Sequence, residues 1–253
     1  MLHRGAQTQT MTKDTTIVLT SCKRPDLLDQ TLQSLAARDL SAVKRIIVIE
    51  DSDHPGIGPI VSNRLADVPH VFLQNDRTCG QIASIDRAYA LVDTAYIFHC
   101  EDDWLFPTSL FLEESRAVLD AQPDVHAVML RAWGEATDAQ NQACPARVAG
   151  VAVRLAGPKA HRRWGSFSFN PGLRRTSDYT AHAPYARIGP ERDLSHYFKL
   201  RGFRLAYLEA GDVIHIGFDP TVKTDEIRRK KARGFLLKSL WHRVQFAWFR
   251  LTG

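Results

Sequence analysis

The sequence predicts an α/β fold with a mostly parallel, Rossmann-like central sheet flanked by helices and a C-terminal amphipathic helical tail. Three observations predict it. Short β-branched runs alternate regularly with helix-period segments from Thr15 to Cys100. The connections between them are short, as a doubly wound sheet requires. The four loops that follow the first four strands (Ser21–Pro25, Asp51–His54, Asn75–Gly80 and Glu101–Trp104) are all polar, and three carry carboxylates. In open parallel sheets the ligand lies beyond the carboxyl ends of the strands, so these loops form the expected site.

The elements follow in order. Thr15–Thr20 (TTIVLT) reads as a buried first strand. Pro25 suits the first turn of a helix over Asp26–Ala37, with Leu27, Leu28, Thr31, Leu32 and Leu35 at helical spacing. Arg45–Glu50 is the second strand. Pro55 to Pro59 breaks the chain, and a short helical segment is expected from Ile60 to Leu65. His70–Gln74 is the third strand. Gln81–Val92 is helical through Ile82, Ile85, Tyr89 and Val92, and Tyr96–Cys100 is the fourth strand. A helix is expected from Ser109 to about Ala121 and a strand over Val125–Leu130. Trp133–Pro158 lacks a strong period. Gly165–Asn170 alternates weakly and reads as a strand feeding a turn at Pro171-Gly172. Glu191–Leu200 is helical and stops at Gly202. Arg204–Leu208 and Asp212–Ile216 read as late strands.

Composition narrows the class. The 253 residues are 44% apolar and 24% charged, which fits one large domain or one domain with an appendage. Cys22, Cys79, Cys100 and Cys144 lie far apart, so neither a disulfide framework nor a zinc knuckle is expected, and a reducing cytoplasm is the default. Met1–Asp14 is polar and lacks the apolar stretch of a signal peptide. No segment approaches the ~20 apolar residues of a membrane span. From Lys223 to Gly253 nine basic residues face two acidic ones, a net of +7 that leaves −2 on the rest of a chain whose total is +5. A near-neutral body argues against nucleic acid as a partner.

The most informative motif is Glu101-Asp102-Asp103-Trp104, at the end of the apolar run Tyr96–Cys100. Three consecutive acids at the mouth of a buried strand repel one another where water screens them poorly. A divalent cation relieves that repulsion, and a nucleoside diphosphate completes its shell. The alternative is an acidic loop that caps the next helix. Gly56-Ile57-Gly58 hints at a dinucleotide loop, but the third glycine is missing, Pro59 intervenes and the position is not the first βα turn, so a dehydrogenase is rejected.

The order of motifs resembles the family 2 glycosyltransferases of the GT-A fold. The matching pieces are Thr15–Leu28, Ile46–Asp53, Gly80–Val92, Tyr96–Trp104 and Pro190–Leu208, within roughly residues 15–220. The resemblance implies a nucleotide-sugar donor (a UDP-sugar favoured), a divalent metal (Mn²⁺ or Mg²⁺), and inverting transfer of a hexosyl or N-acetylhexosaminyl group. The acceptor supplies a hydroxyl; if the basic tail meets a membrane, that acceptor is expected to be a glycan or glycolipid, in cell-surface polysaccharide or glycolipid synthesis. The motif here is E-D-D where the family form is D-x-D. It is similar to that of N-acetylglucosaminyltransferases of this fold, although the motif does not read the sugar.

By position, the resemblance makes Asp103 the metal ligand, with Glu101 and Asp102 contacting ribose or lying behind the metal. It places Thr20, Ser21 and Arg24 around the nucleoside, Asp51 on the base or ribose, and Arg77 and Gln81 at an anion-favouring helix start. Each has a plainer reading: Asp51 as a turn former, Arg24 as a surface arginine. Glu191 aligns with the family's general base and Asp193 is second to it; helix capping is the plainer role of both. His215 is either a further metal ligand or a satisfied core histidine. Trp104 is either core packing or a substrate contact, and Trp164–Asn170 is expected on the acceptor side.

In the tail, Leu237, Leu240, Trp241, Val244, Ala247, Trp248 and Leu251 recur at helical steps among basic residues. This pattern fits an amphipathic helix on an anionic membrane surface, peripheral on its inner face. A helix packed back on the body and a subunit interface are the alternatives. The expected organisation is a flexible N-terminus (1–13), the glycosyltransferase domain (14–222) and the basic helical tail (223–253). The competing functions are a sugar nucleotidyltransferase, disfavoured by the absence of a glycine- and lysine-rich first loop, and a non-catalytic membrane-associated nucleotide-binding protein.

Overall fold

The computed structural model of the chain describes residues 13–132, 138–157, 159, 161–217, 241, 243–245 and 247–248. The first half is the expected alternation: β1 (Thr15–Ser21), α1 (Pro25–Ala36), β2 (Val43–Glu50), α2 (Ile57–Arg64), β3 (His70–Gln74), α3 (Gln81–Tyr89) and β4 (Tyr96–Glu101). There follow β5 (Trp104–Leu105), α4 (Leu112–Ala121), β6 (Val125–Met129), α5 (Asp138–Asn141), β7 (Cys144–Val148), β8 (Val151–Leu155), β9 (Gly172–Arg175), α6 (Thr176–His182), α7 (Glu191–Lys199), β10 (Arg204–Leu208) and β11 (Ile214–His215).

Nine of the described strands form one sheet in the order β3-β2-β1-β4-β9-β6-β10-β8-β7. β3, β2, β1 and β4 are parallel, as are β6 and β10, while β9 runs against both of its neighbours and β8 against β10 and β7. Both faces of the central strands are covered, which explains their unbroken apolar runs. Ile17, Leu19, Ile46, Val48 and Phe98 pack on one face with Leu28, Leu32 and Leu35 of α1. Val18, Ile47, Ile49 and Ile97 pack on the other with α3, Phe167, Phe169 and α7. β1 is buried along its whole length.

The structure corrects several expectations. α2 starts at Ile57, not Ile60, because Pro59 falls within the first turn, where a proline costs no helical hydrogen bond. The irregular stretch before Pro158 holds the β7–β8 hairpin, turned through Ala149 (φ 49°) and Gly150 (φ 83°). Ala149 is an unusual residue for a left-handed turn position, and this masked the signal. Gly165–Asn170 is not a strand. The strand is β9, one residue past Pro171, and the weak alternation records Phe167 and Phe169 entering the core. Asp212–Ile216 forms the two residues of β11, paired with β5, and an isolated parallel bridge from Val213 to Arg131 rather than a full strand.

Candidate functional site

The site lies where the parallel strands end. β1 delivers Thr20 and Ser21, both buried, and the next loop turns sharply at Lys23 (φ 58°). A carboxylate at the end of β2 and one in the turn after β4 hold this loop: the Lys23 N–H donates to Glu50 Oε1 (2.9 Å) and the Cys22 N–H to Asp102 Oδ2 (3.3 Å). The loop presents Arg24 to the acidic motif. Its Nε donates to Asp102 Oδ2 (3.2 Å), Nη1 to Asp103 Oδ2 (2.7 Å), and Nη2 to Asp102 Oδ1. Burial works against the Arg24 charge, but Asp102 and Asp103 outweigh it and raise the pKa.

β4 ends in Glu101, and the chain turns through Asp102 and Asp103 into β5. Thr31 of α1 fixes this turn: its hydroxyl donates to the Asp102 carbonyl (2.8 Å) and accepts the Trp104 N–H (3.2 Å). β5 pairs with β11, with Trp104 opposite His215, and the Ile216 N–H donates to the Asp103 carbonyl (2.9 Å). His215 Nε2 therefore stands 3.4 Å from Asp103 Oδ2. Gly217 closes the other side. A Cβ there would fall 2.5 Å from Asp103 Oδ2, so only glycine lets the backbone approach this carboxylate. Trp104 is buried, 4.8 Å ring to ring from His215, with the Arg131 guanidinium 5.3 Å from its ring centre.

Asp51 is buried, and its oxygens are engaged by the β3–α3 loop. Oδ1 accepts from Asn75 Nδ2 (2.8 Å) and the Cys79 N–H (2.7 Å), and Oδ2 from the Gly80 N–H (2.8 Å). Gly80 is at φ 100°, a conformation that suits glycine. Asp51 thus organises the loop that carries Arg77. Arg77 lines a separate surface hollow with Gln74, Asn75, Asp76, Cys79 and Arg87. Gln81, the first residue of α3, reaches the motif: its Nε2 donates to Glu101 Oε1 (2.6 Å).

Glu191 opens α7 and lines a cavity of about 270 Å³ beside the acidic motif, with Arg131, Gln140, Trp164, Asn170 and Tyr207. Its Oε1 accepts from Ser168 Oγ (2.8 Å) and the Phe169 N–H (3.0 Å), and among the described residues Oε2 is not engaged. Asp193 is buried and folds back toward Gly189, away from that cavity. Of the two expected base candidates, only Glu191 lines it.

Burial and crowding of like charges shift the titration of this cluster. Burial pushes the Glu101 carboxyl up to about 8, aided by the charges of Asp103, Glu191 and Asp102. Burial also raises Asp102 to about 6, Arg24 opposing and Asp103 adding to the rise. Burial and the charges of Glu50, Asp51 and Asp102 raise the Cys22 thiol to about 11, which keeps it protonated and inert. The residues fit a divalent cation. Asp103 Oδ1 is buried without a hydrogen-bond partner, and a carboxylate beside an imidazole suits a first-row cation. Among the described residues no three His, Cys, Asp or Glu side chains gather to enclose a metal, so most of its shell must come from ligand and water.

Sequence reading missed Glu50, Thr31 and Arg131; Ser168 lies in the segment expected on the acceptor side, but its bond to Glu191 was not foreseen. Glu50 had a signal, a carboxylate ending an apolar strand beside Asp51; the others act through tertiary contacts with no local pattern.

No protein-family model matches the sequence, and no curated protein does. Solved structures do. The mannosyltransferase PcManGT from Pyrobaculum calidifontis, in complex with GDP-Man and Mn²⁺, superposes with a TM-score of 0.63 at 13% identity, over 92% of this chain and 62% of that one. S. aureus TarS 1–349 gives 0.60 at 14% identity, over 79% and 59%, and its complex with UDP gives 0.57. The chain therefore spans about three fifths of the length of these structures. The likeness establishes the fold as that of GT-A-like glycosyltransferases.

Proposed function

We propose that this protein is a metal-dependent, inverting glycosyltransferase that moves a sugar from a nucleotide donor, a UDP-sugar favoured, to an acceptor hydroxyl in surface polysaccharide or glycolipid synthesis. One observation carries the reading: Arg24, Asp102, Asp103 and His215 converge at the ends of the parallel strands, with Glu191 on the wall of the adjoining cavity. The GDP-Man and Mn²⁺ bound to one structural neighbour and the UDP bound to another support a nucleotide-sugar ligand.

Asp103 and His215 are the residues that would hold Mn²⁺ or Mg²⁺, and when bound the ion offsets the charge of the departing nucleoside diphosphate. Thr20, Ser21 and the loop organised by Asp51 shape the nucleoside side, with Arg77 and Gln81 at its edge. Arg24 is placed to turn from the carboxylates to a phosphate. Glu191 takes the proton of the attacking hydroxyl on Oε2, while Ser168 and Phe169 fix its other oxygen. The domain spans 14–222 and the basic tail, 223–253, meets an anionic membrane surface.

The test is thermal stability with Mn²⁺ plus UDP, GDP, CDP or dTDP, for wild type and Asp103→Ala, followed by transfer assays with the matching sugar nucleotides. A metal-dependent rise with one nucleotide, lost in the variant, is expected. Full transfer activity in Asp103→Ala overturns the reading.

A further inference from the structure

Arg174 on β9 is fully buried, and among the described residues no carboxylate pairs with it. Leu173 before it joins the core on the α1 side of the sheet. The Arg174 guanidinium instead lies against Phe167 and Phe169, 5.3 and 5.7 Å from their ring centres. Nη2 donates to the Ser168 carbonyl (2.8 Å), while Nε and Nη1 are shielded from solvent without a hydrogen-bond partner among the described residues. A guanidinium in such a place is costly, and an apolar side chain of similar volume fills it at no greater cost. Stability therefore gives no reason for an arginine at 174.

The one bond it makes gives a reason. The Ser168 carbonyl and the Phe169 N–H belong to the same peptide group. That N–H donates to Glu191 Oε1 (3.0 Å), and the Ser168 hydroxyl donates to the same oxygen (2.8 Å). Among the described residues the only cis peptide bond is Ala183–Pro184, so the peptide between Ser168 and Phe169 is trans. Its C=O and N–H point in opposite directions within one plane. Arg174 thus holds one end of a planar amide and Glu191 the other. Anchoring the carbonyl fixes the plane, and with it the direction in which the N–H meets the carboxylate. A cation on the carbonyl also polarises the amide and strengthens its donor. Arg174 itself does not line the cavity that Glu191 and Ser168 face.

We propose that Arg174 is a positioning residue for the transfer reaction: it sets the Ser168–Phe169 peptide so that Glu191 is held by Oε1 and presents Oε2 to the attacking hydroxyl. The proposal rests on the reading of Glu191 as the general base.

The test takes water as the attacking group, so no acceptor has to be chosen. Release of nucleoside diphosphate from UDP-glucose, UDP-N-acetylglucosamine and GDP-mannose with Mn²⁺ is followed for the full chain as wild type, Arg174→Met, Glu191→Gln and the double variant. Arg174→Met keeps an apolar stem and removes the guanidinium. It lowers kcat by on the order of tenfold, as loss of a hydrogen bond from a charged group requires, and leaves KM for the donor unchanged. In the Glu191→Gln background the same change lowers kcat no further, because residues that act as a unit are not additive. Arg174→Lys, which keeps a cationic donor, retains part of the rate. An arginine with a merely structural role costs the same factor in both backgrounds. Selective isotope labelling of phenylalanine reads the peptide without any substrate: the Phe169 amide proton resonance moves upfield in Arg174→Met and less far in Arg174→Lys. Where no donor is hydrolysed, this resonance alone decides, and if Arg174→Met does not fold, the lysine variant carries both comparisons through its smaller changes. Equal losses in the two backgrounds, or a Phe169 resonance that stays in place, overturn the proposal. Glu191→Gln at the wild-type rate is a separate failure, which removes the base and this role with it.

Discussion

Glu191 and Arg24 show how much of the site turns on single side chains. Glu191 has one oxygen fixed by Ser168 and Phe169 and the other unengaged among the described residues, the arrangement a positioned base needs. Glu191→Gln preserves the shape and removes the basicity. It is expected to lower kcat by about 10²- to 10⁴-fold, with the nucleotide-dependent thermal shift unchanged. Arg24 makes two carboxylates tolerable by bonding both at once. The Asp103 oxygen it occupies is also the one that faces His215. The guanidinium and a divalent cation therefore compete for that oxygen. Arg24→Gln is predicted to raise affinity for Mn²⁺ alone by roughly tenfold, the equivalent of one charge-assisted hydrogen bond, and to weaken nucleoside diphosphate binding. Titration followed by the electron paramagnetic resonance of free Mn²⁺ reads the first effect, and unchanged or weaker Mn²⁺ binding refutes it.

At the scale of elements, the sheet positions and the aromatic layer supports. Phe167, Phe198 and Phe203 surround His126 on β6, with ring centres 4.2 to 5.8 Å away, and neither nitrogen of His126 has a hydrogen-bond partner among the described residues. Burial, then the charge of Arg174, depresses its pKa well below the imidazole range. The folded state thus favours neutral His126, whereas the unfolded chain protonates it near pH 6.5. Stability is lost as pH falls below that value. His126→Phe is expected to stabilise the protein by about 1–3 kcal/mol at neutral pH, the cost of an unsatisfied buried polar group. It also flattens the acid side of the stability profile. Buried His99 leaves part of the acid dependence in place. Urea unfolding of both proteins at pH 5, 6 and 7.5 measures both effects; a destabilised variant with the same acid slope contradicts the account.

Across the whole molecule, a near-neutral body carries a strongly basic end. The tail residues at 241, 243–245 and 247–248 are helical. Gln245 meets His196 of α7 (3.2 Å), while Trp241, Val244 and Trp248 are 60%, 54% and 69% exposed. The described part of the expected apolar stripe is thus largely exposed; the remaining stripe positions, Leu237, Leu240 and Leu251, lie outside the described residues. Among the described residues no helix is long and apolar enough to cross a membrane. Trp241→Ala with Trp248→Ala is predicted to reduce sedimentation with anionic vesicles several-fold and to leave transfer to a soluble acceptor unchanged. Vesicle binding at the wild-type level rules out the membrane reading of this stripe.

The sequence by itself determined the strand–helix order, the parallel first half and the acidic motif at the end of β4. These are recorded locally, in β-branched runs, helical spacing and three adjacent carboxylates, because secondary structure and burial follow from short-range pattern. It also marked Asp51, Glu191 and His215 as chemically interesting. Only the tertiary structure decided what each one faces. His215 reaches Asp103 because two short strands pair across a gap of more than a hundred residues. Asp51 faces the backbone of the β3–α3 loop, nearly thirty residues on. Glu191 lines a cavity and Asp193, two residues on, does not, since two steps along a helix turn a side chain by about 200°. The hairpin at Ala149-Gly150, the true position of β9 and the roles of Glu50, Thr31 and Ser168 were likewise settled by contacts distant in sequence, which no local period encodes.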